Sequence, residues 1–372
     1  MKRLLLLVGA IIPALGSPCF NDRDTLGFEL YNAPDVQKAL TGRFDRYPPL
    51  YYTMRVDRLR AKSSISAVEY DDIAVALGRI GRNDEALAAL AQKARLPGLS
   101  MIDQYRLYAN RGTIEAHKFI QQGGDLKDIQ LLKKAESDIA YALKLNPNAH
   151  FGREGTQLEV LRWLEDLKTH ANVKRKAEDI STLGEWLADK LNKEGDRKAV
   201  EISKTLAGLI MLGGAWESPD AALAIAELEV SHMRLATARF GLERYRELIK
   251  GGKKSLAPEL ANNALDNVVG LTEGTTQGSE PSTIQRFHDL RKEAEDWHKA
   301  KTEYMLSRLK LGSHPDTDRN FWSGWKEPQM PEITRKLPKK ADSPSVLIVV
   351  GVISLSLAAI LVIWRRLVHN RR

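Results

Sequence analysis

Cysteine is almost absent from this chain of 372 residues, in which Cys19 is the only one. A single thiol excludes an internal disulfide framework and every zinc site that needs several thiolates. The sequence also has no glycine-rich phosphate loop, no Gly-x-Ser-x-Gly motif and no helical histidine pair enclosing a glutamate. With these motifs missing, the sequence predicts no catalytic residue, no metal ligand and no cofactor.

Long apolar runs occur only at the two ends of the chain. The mean hydropathy of −0.34 therefore excludes a polytopic membrane protein. Hydrophobic residues make up 43% of the chain and charged residues 28%, which are ordinary globular values and exclude global disorder. The length fits about two domains or one long repeat array.

The N-terminus has the pattern of a secretory signal. A basic pair precedes residues 4–12, which are apolar or glycine, and small residues follow. We expect cleavage after Gly16, which defines residues 1–16 as a signal peptide. An uncleaved anchor is one alternative, although the run is shorter than the ~20 residues of a membrane span. Lipidation of Cys19 is another, although Pro18 stands where a small residue is expected.

The C-terminal end carries an uncharged run over residues 346–363, followed by Trp364 and a basic tail. At 1.5 Å per residue its length is about 27 Å, close to the ~30 Å of a hydrocarbon core, with a tryptophan at the interface. We predict a transmembrane helix over 346–364 and a cytoplasmic tail over 365–372. An exported N-terminus then places the bulk of the chain outside the cytoplasm, in the periplasm.

The net charge of +8 is concentrated at the ends of the chain. Lys2, Arg3 and the four arginines of the tail supply six of these charges, and residues 331–342 supply the other two. Residues 17–330 are therefore close to neutral. They lack the basic surface of a nucleic-acid-binding domain, so we expect no nucleic-acid partner.

Residues 69–90 have the pattern of a helix, a tight turn and a second helix. Apolar and small residues fall at the spacing of the tetratricopeptide (TPR) signature, namely Tyr70, Ile73, Ala74, Leu77, Gly81, Ala86 and Leu90. Pro97 lies near the closing proline of that signature, whereas Lys93 stands where a small residue is usual. The segment resembles a TPR repeat, which implies a hairpin of two closely packed helices.

A second, more divergent unit follows. Tyr108 and Gly112 match the front half of the same signature, and Ala135, Ala142 and Pro147 match its back half. The halves lie farther apart than usual, so we expect two long helices: the first ends near residue 121, and the second ends before Pro147. Two unrelated helical hairpins are the alternative.

Downstream, apolar residues recur at helical spacing and no β-branched run alternates. One helix begins at Pro219 and could continue to Lys250. The expected fold is all-α, a TPR-like α-solenoid of eight to ten helices in antiparallel pairs. Its parts are an N-terminal docking segment (17–66), the repeat domain (67–270), a loop with a long C-terminal helix (271–312) and an extended tether (313–345).

The docking segment is rich in arginine and tyrosine. Arg43, Arg46, Tyr51 and Tyr52 have the composition of a protein–protein interface, which makes them candidate binding residues. The same residues could instead dock the N-terminal segment onto the first groove of the solenoid. The chain is similar to exported bacterial proteins in which such an opening precedes TPR-like helices.

Two clusters contain histidine together with charged residues. The first consists of His150, Arg153 and Glu154, of which His150 and Arg153 are further candidate binding residues, and the second consists of His314, Asp316 and Asp318. Either cluster could support acid–base or metal chemistry. Helix capping or turn formation explains the same residues.

Taken together, these patterns favour a membrane-anchored, extracytoplasmic TPR-like scaffold. Its expected partners are an unidentified protein or peptide of the cell envelope and, through the C-terminal helix, the lipid bilayer. An envelope hydrolase or metal-dependent enzyme that uses one of the histidine clusters is the alternative. A purely structural spacer is a third hypothesis.

Overall fold

The computed structural model describes residues 20–31, 34–147, 152–170, 181–191, 197–273 and 281–329. Within these ranges the chain forms α-helices and no strand, so the predicted all-α class is confirmed. The helices are α1 (Arg23–Tyr31), α2 (Val36–Thr41), α3 (Pro49–Arg60), α4 (Ala67–Arg79), α5 (Asn83–Lys93), α6 (Met101–Gln121), α7 (Ile129–Leu145), α8 (Arg153–His170), α9 (Leu183–Leu191), α10 (Arg197–Leu212), α11 (Pro219–Val230), α12 (Leu235–Lys250), α13 (Pro258–Glu273) and α14 (Pro281–Leu309).

The predicted signal peptide and the predicted transmembrane helix both lie outside the described residues. Among the helices of the described part, none is both long enough and apolar enough to cross a membrane.

Serine residues begin several of these helices by capping free backbone amides. Ser66 and Glu69 form a reciprocal capping box at α4, and Ser100 and Asp103 do the same at α6. Ser218 caps α11, whose first residue is a proline. The start of α11 at Pro219 agrees with the sequence prediction.

Helices α3 to α9 pack in chain order, each against the next. The approach of α6 and α7 is close because Gly112 has no side chain: a Cβ there would lie 2.8 Å from the carbonyl oxygen of Ala135. After α9 the order changes, because α9 packs against α11, and α2 packs against both α10 and α12. Consecutive hairpins therefore describe the first half of the chain better than the second.

The structure divides the region from Pro219 to Lys250 into two helices, although the sequence favoured one. Residues 231–234 form a turn between α11 and α12, and Met233 adopts a left-handed backbone with φ of 55°. Neither glycine nor proline marks this turn, so local sequence signals do not reveal it. This break and the short helices of the N-terminal segment raise the helix number above the expected eight to ten.

One hydrophobic core joins the two ends of the described chain. Phe20 and Tyr51 from the N-terminal segment share it with Leu77 of α4, Leu309 of α14 and Phe321. Residues 313–328 belong to the segment that the sequence predicted as an extended tether. In the structure they form turns against α3 and α14, because Phe321 and His314 are buried there.

Candidate functional site

The first described residues of the N-terminal segment insert into the groove between α4 and α6. Phe20 is fully buried, with the guanidinium of Arg79 4.6 Å from its ring centre and His117 packed edge-on at 5.3 Å. The next residue, Asn21, is held through its backbone. Its N–H donates to Oδ1 of Asn110 (2.8 Å), and its carbonyl accepts from Nδ2 of the same side chain (3.1 Å).

A buried ion pair lies beneath this contact. Nζ of Lys93 donates to Oδ2 of Asp71 (2.6 Å), while Oδ1 of Asp71 accepts from Nδ2 of Asn110 (3.1 Å). Burial raises the pKa of Asp71 to about 7 and lowers the pKa of Lys93. The lysine that departs from the repeat signature thus fills the space between α4 and α5 and pairs with Asp71.

Arg55 of α3 connects the two ends of the described chain. Its guanidinium donates to both oxygens of Asp24 (2.7 and 3.0 Å) and to both oxygens of Asp316 (2.7 and 2.8 Å). Arg58 also pairs with Asp316, and the hydroxyl of Tyr51 donates to Asp24 (2.9 Å). Burial disfavours the charge of Arg55, yet hydrogen bonds to the two aspartates raise its pKa.

The second histidine cluster takes part in the same junction. His314 stacks on Tyr51 with ring centres 4.6 Å apart, and its Nε2 donates to the carbonyl oxygen of Tyr51 (3.0 Å). Its Nδ1 accepts from the backbone N–H of Asp316 (3.1 Å), and burial lowers the pKa of His314. Asp318 accepts from Arg308 and Ser313. These contacts fit the turn-forming interpretation of the cluster.

Arg43 fixes the last described residues. It lies over the ring of Trp297 at 4.2 Å and donates to Glu327 (3.3 Å) and to the carbonyl oxygen of Pro328 (3.0 Å). Glu327 also accepts from the indole Nε1 of Trp297 (2.7 Å). The chain therefore leaves the described part of the structure beside residues 43–46.

A cavity of about 490 Å³ opens between the N-terminal segment and the end of α10. Charged and aromatic side chains line it together with a short apolar stretch of α10: Asp22, Arg23, Asp24, Thr25, Gly27, Phe28, Phe44, Asp45, Arg46, Tyr47, Tyr52, Arg79, Ile210, Met211, Leu212, Gly213 and Trp216. Its volume lies within the ~300–1,000 Å³ of small-ligand sites.

Gly42 and Trp216 shape one wall of this cavity. Gly42 ends α2 in a left-handed conformation (φ 87°), and a Cβ at that position would lie 2.7 Å from the Trp216 ring. Phe44 packs edge-on against the same ring at 5.4 Å. Three guanidinium groups surround the indole: Arg244 at 3.6 Å, Arg46 at 4.8 Å and Arg291 at 5.2 Å from its centre.

Arg46 stands out among the cationic groups of this wall. It forms no hydrogen bond and no ion pair with any residue in the described ranges, and its Nε is buried without a hydrogen-bond partner. Its contacts are the rings of Phe44 (5.3 Å) and Trp216. Burial, together with the neighbouring Arg291 and Arg244, lowers the pKa of Arg46 to about 10.

The structure brings together most of the candidate binding residues of the N-terminal segment. Arg46 and Tyr52 line the cavity, whereas Arg43 and Tyr51 lie beside it in internal contacts. Tyr51 and Tyr52 are 3% and 8% exposed. These contacts agree with the docking interpretation of the segment.

The first histidine cluster lies elsewhere. Arg153 begins α8, is buried and contacts Gly208 of α10, and Glu154 accepts a hydrogen bond from the hydroxyl of Tyr105 (2.5 Å). His150 lies outside the described residues. Throughout the described ranges, histidine, cysteine, aspartate and glutamate side chains form no group of three that could hold a metal ion.

The residues singled out by the repeat signature occupy the interior of the first two hairpins. Most are buried within or between helices, and Gly81 closes the turn between α4 and α5: the buried ones are Ala74, Leu77, Ala86, Leu90, Gly112, Ala135 and Ala142. Tyr70 and Tyr108 are half-buried, and Pro147 is exposed just after α7.

Sequence reasoning missed Arg79 and Trp216, which complete the cavity from other helices. Arg79 closes α4 and donates to the carbonyl oxygen of Gly213 (2.8 Å) and to that of Leu212. Trp216 lies in a short 3-10 turn after α10. A tryptophan shortly after the glycine pair at 213 and 214 was the available signal for the second of these.

Comparison of the chain with protein-family models, with curated proteins and with solved structures gives no match in any of the three. The TPR resemblance and the function that it implies therefore rest on the sequence pattern and on the geometry of the site.

Proposed function

We propose that this protein is a membrane-anchored, extracytoplasmic, TPR-like scaffold that binds a segment of another envelope protein. The observation that carries the proposal is the cavity of about 490 Å³ between the N-terminal segment and α10. Its lining combines arginine, tyrosine and tryptophan, the residue types that dominate protein interfaces. The first of the consecutive hairpins contributes Arg79 of α4 to this lining.

Location follows from the two ends of the sequence. A signal over residues 1–16 would export the chain, and a span over 346–364 would retain it in the membrane. The last described residues lie at Arg43, next to the cavity. In this proposal the binding site faces the compartment outside the cytoplasm, and a phosphatase fused after Arg372 is inactive. An active fusion would contradict the topology.

A photo-crosslinking experiment on the full-length protein in cells tests the binding site. We would replace Phe28, which lines the cavity, by a photoreactive phenylalanine analogue, with Tyr141 of α7 as the control position because it is exposed and outside the cavity. The proposal expects one discrete protein adduct at position 28 and none at 141. Loss of adducts at both positions, or the same adducts at both, would contradict a partner site in the cavity.

A further inference from the structure

The wall of the cavity around Trp216 carries more positive charge than its carboxylates neutralise. Arg244 and Arg291 share a single close carboxylate, that of Glu247, at 2.7 and 3.0 Å. Arg46 contacts the same indole and has no carboxylate within ion-pair distance in the described residues. Three guanidinium groups thus surround one ring with one closely bound carboxylate between them.

Two more carboxylates act on this wall only from the surface. Glu295 lies 3.8 Å from Arg291 and is 68% exposed, and Glu217 pairs with Lys253 at 2.6 Å. Both therefore compensate the charge of Arg46 weakly, because solvent screens exposed charges.

The aspartates that line the cavity are already occupied. Asp24 accepts two hydrogen bonds from Arg55, and Asp45 pairs with Lys301 (2.6 Å). Asp22 caps the turn at Thr25 (3.0 Å) and lies 3.6 Å from Arg55. None of these carboxylates is directed at Arg46, so an anion that entered the cavity would meet an unpaired cation.

The positive charge of this wall also lowers the pKa of a nearby histidine, His298. Burial and the proximity of Arg46 lower the pKa of His298 to about 4, with Arg291 and Lys301 acting in the same direction and Asp45 opposing them. His298 is therefore neutral at physiological pH and adds no charge of its own. An anion bound at Arg46 would weaken this field and raise the pKa of His298.

We propose that Arg46 anchors a carboxylate carried by the partner segment, and that an apolar residue next to this carboxylate packs against Phe44 and Met211. The inference rests on the proposed function and deepens it. The planar guanidinium matches a carboxylate through two parallel hydrogen bonds, and none of its nitrogens has a hydrogen-bond partner in the described residues. The carboxylate belongs either to an acidic side chain or to the C-terminus of the partner.

Fluorescence anisotropy with short labelled peptides on the full-length protein in detergent micelles tests this assignment. The first probe ends in leucine with a free carboxylate, and the second is the same peptide with a carboxamide end. The third has the carboxamide end and one internal glutamate. The wild-type protein is expected to bind the first or the third at least about tenfold more tightly than the second. Tighter binding of the first identifies a C-terminus, and tighter binding of the third identifies a side chain.

Substitutions at Arg46 tie the binding to this residue. Arg46→Gln should abolish the preference for the charged peptide, and Arg46→Lys should retain part of it because the positive charge remains. Arg60→Gln is the matched control, since Arg60 is exposed on α3 and pairs with Glu85 outside the cavity. Thermal unfolding of each variant checks that the fold is retained, and NMR titration of His298 should show a higher pKa in the peptide-bound protein.

Equal binding of the charged and amidated peptides would overturn the assignment, as would an undiminished preference in Arg46→Gln. Displacement of the peptide by inorganic phosphate at the same concentration would also overturn it and leave a site for small anions alone. These results are distinct from failure of the proposed function. If the crosslinked partner still forms its adduct with Arg46→Gln, the scaffold proposal stands while the carboxylate assignment falls.

Discussion

Asn110 holds the backbone of Asn21 through both of its amide atoms, at 2.8 and 3.1 Å, and also donates to the buried carboxylate of Asp71. The side chain thereby satisfies a backbone N–H and a backbone carbonyl of a segment that would otherwise lose its hydrogen bonds on burial. This single contact fixes the register at which the N-terminal segment enters the groove of α4 and α6.

Replacing Asn110 should therefore release the N-terminal segment. Asn110→Ala is expected to lower the free energy of unfolding by about 1–3 kcal/mol, because buried polar groups lose their partners. Asn110→Asp should cost more, because a carboxylate would then face Asp71. Chemical denaturation measures both, with Asn262→Ala as the control on the exposed face of α13. Faster amide exchange at Asn21 is expected, and equal stabilities of Asn110→Ala and the control would contradict this role.

The wall of the cavity should be sensitive to a methyl group at Gly42. Gly42 and Gly252 have nearly the same backbone (φ 87° and 84°), but only Gly42 faces the Trp216 ring, and Gly252 has open space around it. Both alanine substitutions cost about 1 kcal/mol for the left-handed backbone. Gly42→Ala should cost at least ~1 kcal/mol more through the collision. Thermal unfolding measures the stability of both variants. Equal losses of stability would contradict a close contact between residue 42 and the Trp216 ring.

Asp316 should hold residues 313–328 against α3. Asp316→Asn removes a buried partner of Arg55 and Arg58, a change that costs up to about 3–5 kcal/mol, and less here because Asp24 still pairs with Arg55. Limited proteolysis should cut residues 313–328 first in this variant. Asp318→Asn is the control, since its pair with Arg308 is partly exposed and solvent-exposed ion pairs stabilise a fold little. Unchanged protease resistance in Asp316→Asn would contradict this role of Asp316.

Glu227 of α11 should make stability depend on pH. Burial, and to a lesser degree the nearby Glu185, raise the pKa of Glu227 to about 7, while Thr182 donates a hydrogen bond to it. As pH rises, Glu227 stays protonated longer in the folded state than in the unfolded state. Its contribution to the free energy of unfolding is therefore full below pH ~4.5 and is lost as pH rises through 7. Glu227→Gln should be more stable relative to wild type at pH 8 than at pH 5, by roughly 1–3 kcal/mol.

Denaturation midpoints at the two pH values measure this effect. Glu303→Gln, an exposed substitution on α14, is the control and should show no such difference. If the stability of Glu227→Gln changes with pH as that of wild type does, Glu227 is not the source of the pH dependence.

Local features of the fold were predictable because they depend on neighbouring residues. The sequence predicted the start of α11 at Pro219, which Ser218 caps, and the end of the long helix α6 near residue 121. The turn at Met233 was not predictable, because packing places a residue without turn propensity in a left-handed conformation.

The candidate site was only partly predictable from the sequence, for the same physical reason. The arginines and tyrosines of the N-terminal segment were identified as a group by their composition, but their partners lie far away in the chain. Arg55 and Asp316, for example, are 261 positions apart. Lys93 weakened the repeat resemblance in the sequence, and only the structure shows that it pairs with Asp71. The sequence could not show that Arg46 lacks a carboxylate partner, because Asp24 and Asp45 pair with other cations only in the folded chain.

The junction at Arg55 has a consequence for the order of folding. Asp316 is synthesised 261 positions after Arg55, so Arg55 acquires its second carboxylate long after it can pair with Asp24. Contacts of such long sequence separation form slowly, because a large loop must close first. The Asp24 half of this junction can therefore form while the chain is still being made, and the Asp316 half closes it last.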